Sequence, residues 1–141
     1  MNKFQRSARS GKLKKALANS EYELESLESD DFSVNDAVAT RNGKRFLVET
    51  KHRRAEYEDY LLEEKKAFSL AYKALDAGMD GILYVNTFEK GIAIIWNITQ
   101  KLLNLCRSGS LYCPRTTEGN NTKISKKVFY LKPENGTTVK Y

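Results

Sequence analysis

The pattern of apolar and polar positions changes its period several times along the chain, and each change predicts a new element. Over residues 3–18, apolar residues recur at helical spacing among basic ones, which predicts an amphipathic helix interrupted by Ser10-Gly11. Residues 22–27 alternate between apolar and polar, as expected for a half-buried strand. The polar stretch over residues 29–33 predicts a loop.

A β-hairpin is the clearest local prediction of the sequence. One strand is expected from position 32 or 34 to position 40, and a second strand over residues 45–51. Between them, Asn42-Gly43 predicts a two-residue turn, because Gly and, to a lesser extent, Asn tolerate the positive φ that such a turn requires.

The longest helical pattern covers residues 56–77. Acidic residues crowd its first turns, where the helix dipole favours them, and Ala77-Gly78 supplies a stop signal. Its apolar positions repeat at helical spacing: Tyr57, Leu61, Phe68, Ala71, Tyr72 and Leu75.

Two further strands are predicted over residues 81–87 and 91–98, joined by a short turn. The second is a nearly continuous apolar run, which is typical of a buried central strand. The predicted order is therefore α-β-β-β-α-β-β, an α/β fold with a mixed sheet and the long helix packed against one face.

The last third of the chain has a weaker pattern. A short helix is predicted near residues 99–106, a mobile loop over residues 108–121, and a strand over residues 127–131 before a turn and a short terminal strand. We interpret the whole chain as a single domain of residues 1–141. Its core covers about residues 3–98, and a less regular basic extension covers about residues 99–141.

Composition excludes several classes of protein. No apolar run approaches the roughly 20 residues that a membrane helix needs, and the N-terminus lacks the apolar stretch of a secretory signal. The two cysteines, Cys106 and Cys113, make no disulfide framework, and with only His52 beside them they make no zinc site. A reducing, cytoplasmic location is expected, which would be the host cytoplasm for a phage-encoded protein.

The net charge of +6 is unevenly distributed. Residues 1–15 carry six bases and no acid, residues 20–36 carry seven acids and no base, and residues 101–141 carry eight bases and two acids. Basic ends that flank an acidic segment suit a protein that grips phosphates and concentrates metal ions. The alternative is that these charge runs are solvated faces.

The candidate chemistry lies in the predicted hairpin. Glu49 and Lys51 are two positions apart on the second strand, so their side chains leave the same face, and Asp36 lies on the partner strand. Carboxylate oxygens are the ligands that Mg²⁺ prefers, and a nearby lysine can orient or stabilise a hydroxide that attacks a phosphate. A charged surface hairpin without function is the alternative. However, Glu49 and Lys51 extend an apolar strand, where ionised groups are costly unless paired or metal-bound.

The order of elements, with Asp36 on one strand and Glu49-x-Lys51 closing the next, resembles the PD-(D/E)XK nuclease superfamily over about residues 3–98. Its members include restriction endonucleases, phage exonucleases and the archaeal type of Holliday junction resolvase. The resemblance implies a restriction-endonuclease-like fold. It also implies that Asp36, Glu49 and the backbone carbonyl of Thr50 bind Mg²⁺, for which Mn²⁺ would substitute. Lys51 would assist catalysis.

The sequence departs from the family pattern in three places. Asn35 replaces the proline that precedes the first acid. The first helix, which carries a catalytic Glu in many members, has no acid, and Glu21 or Glu23 would serve only if that helix were longer. The central helix lacks the Gln of a Gln-x-x-x-Tyr pattern, so Lys65 or Lys66 is the candidate for an equivalent role.

The basic residues expected to contact DNA form three groups. They are Lys3, Arg6, Arg9, Lys12, Lys14 and Lys15 near the N-terminus, Arg53 and Arg54 after the hairpin, and Lys123, Lys126 and Lys127 on the late strand. For the last group, a solvated edge strand protected by lysines is an equally good interpretation.

Two other sets of residues have a structural and a functional interpretation. His52 is either incidental or a general base or phosphate contact next to Lys51. The aromatic residues are predicted to be core, with stacking on bases as the alternative: Trp96, Tyr57, Tyr60, Tyr72 and Tyr84.

These observations predict an endo- or exonuclease that hydrolyses DNA phosphodiester bonds with Mg²⁺. Two alternatives stay open. One is a DNA-binding protein of the same fold that has lost the chemistry, for which the missing acid on the first helix argues. The other is a structure-selective Holliday junction resolvase, which needs a homodimer with two sites.

Overall fold

The computed structural model describes residues 3–27, 37–114 and 123–141, with side chains for residues 11–25, 37–111 and 124–141. The helices in these ranges are α1 (Lys3–Ala18), α2 (Glu64–Asp76) and α3 (Gln100–Leu105), with a 3-10 turn at Pro133–Asn135. The strands are β1 (Glu23–Leu27), β2 (Ala37–Arg41), β3 (Lys44–Arg53), β4 (Tyr60–Glu63), β5 (Gly81–Phe88), β6 (Ile92–Asn97), β7 (Arg107–Pro114), β8 (Lys123–Leu131) and β9 (Thr137–Lys140).

The described strands form two sheets. The larger has the order β1-β2-β3-β5-β6-β9, and all its pairs are antiparallel except β3 with β5, which are parallel. The smaller is antiparallel, with the order β4-β8-β7. Because β3 and β5 are parallel, the chain between them crosses over through β4 and α2. The predicted mixed α/β fold is confirmed.

The predicted hairpin is present as β2 and β3. Asn42 and Gly43 form its turn with φ values of 54° and 77°, the two positive values that a two-residue turn of this kind requires. The turn sets the register in which Ala37 lies opposite Val48. The part of the first strand predicted before Ala37 lies outside the described residues.

Alternate residues of the large sheet enter two separate cores. On one face, Leu17 of α1 packs with Val48 and Val85. On the other face, Leu70 of α2 packs with Leu47, together with Trp96 and its neighbours. Odd-numbered residues of β3 therefore face α2 and even-numbered residues face α1, and this division decides which side chains meet in the candidate site.

The long helix predicted over residues 56–77 is wrong in its first part. Tyr60 and Leu62 alternate into the core as part of β4, which pairs with β8, and α2 begins only at Glu64. Four alternating residues are too few to stand out beside a helical pattern. The pairing partner, β8, lies more than sixty positions away in the sequence.

The apolar stripe predicted for this helix also faces the other way. The buried residues of α2 are Ala67, Leu70 and Ala74. Phe68, Tyr72 and Leu75, which define the stronger apolar pattern, are 60%, 73% and 81% exposed. The helix thus uses small residues to approach the sheet and presents its larger apolar residues outward.

The C-terminal third is more regular than predicted. The loop expected over residues 108–121 is a strand, β7, as far as Pro114, and residues 115–122 lie outside the described part of the chain. The predicted short helix and terminal strand are confirmed as α3 and β9, and β9 pairs with β6 at the edge of the large sheet. The indole Nε1 of Trp96 donates to the carbonyl of Lys132 at 2.9 Å, which ties this region to the core.

Within the residues that the structure describes, no helix has both the length and the apolar character needed to cross a bilayer. Cys106 is a free thiol, and burial raises its pKa.

Candidate active site

The parallel pair β3 and β5 brings polar residues together near the carboxyl ends of both strands. In the register of this pair, Glu49 lies beside Tyr84 and Lys51 beside Asn86. Glu49, Lys51 and Arg53 are alternate residues of β3, so they leave the face that α2 covers. The carboxyl ends of adjacent parallel strands are a recurrent place for ligand binding in α/β proteins.

Glu49 is the buried acid of this cluster, with only 6% of the residue exposed. The ammonium of Lys66, from the first turn of α2, lies 3.2 Å from its Oε1. Burial raises the pKa of the Glu49 carboxyl, and Lys66 acts in the opposite direction. Of the two lysines proposed for the central helix, the structure brings Lys66 to Glu49, whereas Lys65 is exposed.

Lys51 and Arg53 place two positive charges side by side. Although Lys51 is an exposed residue, partial burial lowers the pKa of its ammonium, and the neighbouring Arg53 guanidinium lowers it further. Among the described residues, no carboxylate forms an ion pair with either side chain. The cluster therefore holds cationic charge that the described part of the protein does not neutralise.

Arg53 is held in place by neutral groups. Its Nε donates to Oδ1 of Asn86 at 2.7 Å, and a terminal nitrogen lies 3.4 Å from the hydroxyl of Tyr84. The guanidinium also lies 5.9 Å from the centre of the Tyr60 ring. Burial raises the pKa of Tyr84, so its hydroxyl stays neutral at physiological pH.

Asn86 is a site residue that the sequence analysis missed. It is completely buried, in the middle of β5, whose other residues after the first are buried too. The signal that could have found it is a single amide inside an otherwise apolar run, since a buried polar side chain needs a partner.

The small sheet meets this cluster through Glu63. Glu63 is the last residue of β4 and directly precedes α2, and its carboxylate pairs with Lys126 of β8 at 3.2 Å. Lys126 is thus engaged within the protein, while its neighbour Lys127 is exposed. The edge-strand interpretation of these lysines is wrong, because β8 is the central strand of its sheet. The side chain of Lys123 lies outside the described residues.

His52 does not join the cluster. It is an even-numbered residue of β3 and leaves the opposite face, where its Nδ1 lies 3.0 Å from the hydroxyl of Thr87. Its Nε2 is 3.9 Å from Glu89. Arg54 follows the end of β3 and is exposed.

The basic residues of α1 lie over the face of the sheet opposite to Glu49, because α1 packs in the other core. Lys14 and Lys15 are exposed, and Lys12 is half-buried. The helix backbone includes the positions of three more basic residues whose side chains lie outside the description: Lys3, Arg6 and Arg9.

Glu21 and Glu23 could supply the missing acid of the first helix only if that helix reached them, and it does not. Helix α1 ends at Ala18, so Glu21 lies in the following turn with a φ of 65°, and Glu23 begins β1. Both residues are exposed. The first helix therefore brings no acid toward the sheet among the residues described.

The aromatic residues divide into two sets. Tyr60, Tyr84 and Trp96 are core residues, as predicted, and the ring centroids of Tyr84 and Trp96 are 5.9 Å apart. Tyr57 and Tyr72 are exposed, so the core prediction is wrong for these two.

Only some of the residues expected to bind a metal ion lie in the described part of the chain. Asp36 lies outside the described residues, and within them no group of three or more acidic, histidine or cysteine side chains could hold a metal ion. The carboxylate of Glu49 and the carbonyl of Thr50 are hard oxygen donors of the kind that Mg²⁺ prefers. The residues present therefore fit part of a magnesium site, with Lys66 already against one oxygen.

Comparison with solved structures finds a similar fold. The chain is similar to Archaeoglobus fulgidus Hjc, a Holliday junction resolvase from an archaeal hyperthermophile. The TM-score is 0.54, the sequence identity is 13%, and the match covers 92% of this chain and 93% of that chain. The restriction-endonuclease-like fold is confirmed. No protein-family model matches the sequence, and no curated protein matches it significantly.

Proposed function

We propose that this chain is a metal-dependent nuclease that hydrolyses phosphodiester bonds of DNA. The observation that carries the proposal is the convergence of Glu49, Lys51 and Arg53 on one face of the sheet, near the carboxyl ends of two parallel strands. A buried acid next to unneutralised cationic charge suits a site that binds a phosphate group. The fold similarity to a Holliday junction resolvase supports DNA as the substrate.

In this proposal Glu49 and the carbonyl of Thr50 hold Mg²⁺, with Asp36 as the expected second acid and Mn²⁺ as a substitute. When bound, the ion polarises a phosphoryl oxygen and makes the attacking water more acidic. The ammonium of Lys51 donates hydrogen bonds to the phosphoryl oxygens, on which negative charge increases in the transition state. Lys66 balances the charge of Glu49 before the substrate binds.

In this proposal, exposed basic residues on several elements hold the DNA. Arg54 is exposed directly after β3, Lys127 is exposed on β8, and Lys14 and Lys15 are exposed on α1. Lysine and arginine contacts to the phosphate backbone are independent of sequence and release counterions, so binding should weaken as salt rises.

A cleavage assay tests this proposal directly. Linear duplex, single-stranded, nicked and four-way DNA are incubated with Mg²⁺, with Mn²⁺ or with excess chelator, using the wild type and Glu49→Gln. We expect cleavage by the wild type only with metal, and none by Glu49→Gln. Undiminished cleavage in chelator would overturn the assignment. DNA binding without cleavage would favour the alternative of a DNA-binding protein that has lost the chemistry.

A structure-selective resolvase that acts as a homodimer is the second candidate. Two symmetric cuts in a junction need two sites, and the chain supplies one Glu49-x-Lys51 site. Phe68, Tyr72 and Leu75 share one face of α2, because residues at this spacing are neighbours on a helix, and they form an exposed apolar stripe. An exposed apolar patch is typical of a protein interface, which supports a second copy of the chain as the partner of this stripe.

Light scattering tests the second candidate. We expect twice the monomer mass for the wild type and the monomer mass for Tyr72→Glu. The control is Tyr57→Glu, which changes an exposed tyrosine outside the stripe. A monomeric wild type that still cuts four-way DNA symmetrically would contradict the dimer.

A further inference from the structure

We infer that Arg53 binds a phosphate of the DNA backbone and that Asn86 is the residue that positions it. This inference rests on the proposed nuclease function, and it assigns the recognition of the substrate's charge to a pair of residues on adjacent strands. The pair is joined by the 2.7 Å hydrogen bond from Nε of Arg53 to Oδ1 of Asn86.

The first argument is the distribution of charge around the cluster. The two nearest acids already have ion-pair partners, because Glu49 pairs with Lys66 and Glu63 pairs with Lys126. Lys51 and Arg53 are the surplus cations, and within the described residues neither has a carboxylate partner. Two adjacent positive charges repel each other, and an anion between them removes that cost.

The second argument is the way in which Arg53 is held. A carboxylate partner would fix the guanidinium but would also neutralise its charge. Asn86 and Tyr84 are neutral, so they fix the orientation and leave the charge available. The guanidinium is a planar fork that matches a phosphate group. Its Nε donates to Asn86 and one terminal nitrogen is directed to Tyr84, which leaves the other terminal N–H groups to donate to a phosphate.

The third argument is the cost of keeping an amide at position 86. Because Nε–H of Arg53 can only donate, the oxygen of the Asn86 amide must face it, and Nδ2 is then the second polar atom of the amide. Nδ2 is buried, and among the described residues it meets the hydroxyl of Tyr84 without forming a hydrogen bond of normal geometry. A buried donor without a well-formed hydrogen bond is destabilising, and an apolar residue at position 86 would avoid that cost. The amide is therefore explained by what it does for Arg53.

The test is a double-mutant cycle on DNA binding, measured with labelled duplex DNA in chelator so that nothing is cleaved. Arg53→Met should weaken binding and lower the slope of log affinity against log salt by about 0.9, the value for one lost phosphate contact. Alone, Asn86→Leu should weaken DNA binding, but added to Arg53→Met it should cause no further loss of affinity. Asn86→Asp, which places a carboxylate against Nε, should flatten the slope as Arg53→Met does. Lys44→Met is the matched control, because Lys44 is an exposed cation at the opposite end of β3.

The outcomes separate this inference from the proposed function. If the wild type neither binds nor cleaves DNA, the proposed function fails. If the wild type does both and Arg53→Met keeps the wild-type slope, the phosphate assignment fails. If Asn86→Leu still weakens binding in the Arg53→Met background, Asn86 does not act through Arg53. Arg53 is only half-buried, so Arg53→Met decides the phosphate assignment even if variants at position 86 do not fold.

Discussion

The ammonium of Lys66 lies 3.2 Å from Oε1 of Glu49, so the buried acid of the candidate site has a cationic partner before any ligand arrives. The two residues come from different elements, α2 and β3. A metal ion that binds the same carboxylate oxygen has to compete with this ammonium. In the proposed metal site, Lys66 would therefore lower the affinity of Glu49 for the ion.

Removing the charge of Lys66 should strengthen metal binding. In Lys66→Met we expect Mg²⁺ to bind about fivefold more tightly, which is the scale of one partly exposed ion pair. Calorimetric titration in the absence of DNA measures this affinity. Lys65→Met, one residue away and exposed, should bind Mg²⁺ as the wild type does. Weaker binding in Lys66→Met would mean that Lys66 holds Glu49 in position rather than competing with the ion.

Loss of the Lys51 charge should separate DNA binding from chemistry. Because its proposed role is in the transition state, Lys51→Met should bind DNA within about threefold of the wild type and cleave it roughly 100-fold more slowly. Methionine keeps most of the aliphatic stem, which limits damage to the fold. Single-turnover cleavage and equilibrium binding measure the two effects. Lys140→Met, in the exposed edge strand β9, should change neither. Normal cleavage by Lys51→Met would mean that the Glu49-x-Lys51 motif is a charged surface without a catalytic role.

The raised pKa of Glu49 makes this residue a cost to stability at neutral pH. Burial causes the increase, so the folded state holds the Glu49 proton more tightly than the unfolded chain does. By linkage, its contribution to stability is greatest below the ordinary pKa of 4.5 and is lost as pH rises from there through the folded pKa. Glu49→Gln should therefore have the higher melting temperature at pH 7 in metal-free buffer. Its advantage should disappear below pH 4.5. A lower melting temperature at pH 7 would show that the Lys66 ion pair outweighs burial.

The contribution of α1 to DNA binding is best tested by substitution. Truncation of the first 15 residues would remove Leu13, which is buried, and so would damage the core. Lys14→Gln combined with Lys15→Gln changes only exposed side chains. We expect weaker DNA binding and a salt slope lower by roughly 0.9 for each lysine that contacts a phosphate. An unchanged slope would place the backbone contacts elsewhere, with Lys127 as the next residue to substitute.

Local signals predicted the centre of the fold well. The Asn42-Gly43 turn, the alternation of β3 and the apolar run of β6 each carry their information within a few residues. The face shared by Glu49 and Lys51 follows from the period of a strand alone.

The errors arose where pairing partners are distant in the sequence. The residues of β7 are mostly small and polar, and only pairing with β8 makes them a strand. The same holds for β4, which without β8 looks like the beginning of a helix. On α2, the strong apolar pattern predicts the wrong buried face, because close packing against the sheet favours the small residues Ala67 and Ala74.

The candidate site was predicted in part for the same reason. Lys66 was one of two neighbouring lysines, and the sequence could not decide between them because the phase of α2 was uncertain. Asn86 and Arg53 are more than thirty positions apart, so their hydrogen bond depends on the register of two parallel strands. No local pattern contains that register.

The register of β3 and β5 also determines how stable a misfolded form of the chain would be. Val48, Val85 and Leu83 anchor one core with the even positions of β3 and the odd positions of β5, and the polar cluster occupies the complementary positions. A slip of one residue would drive Glu49 and Lys51 into the apolar core under α1 and move Val48 to the face that α2 covers. The register that brings the polar cluster together is therefore the same register that buries the apolar residues. A misregistered molecule would therefore be unstable, so the polar cluster would not persist in a wrong arrangement.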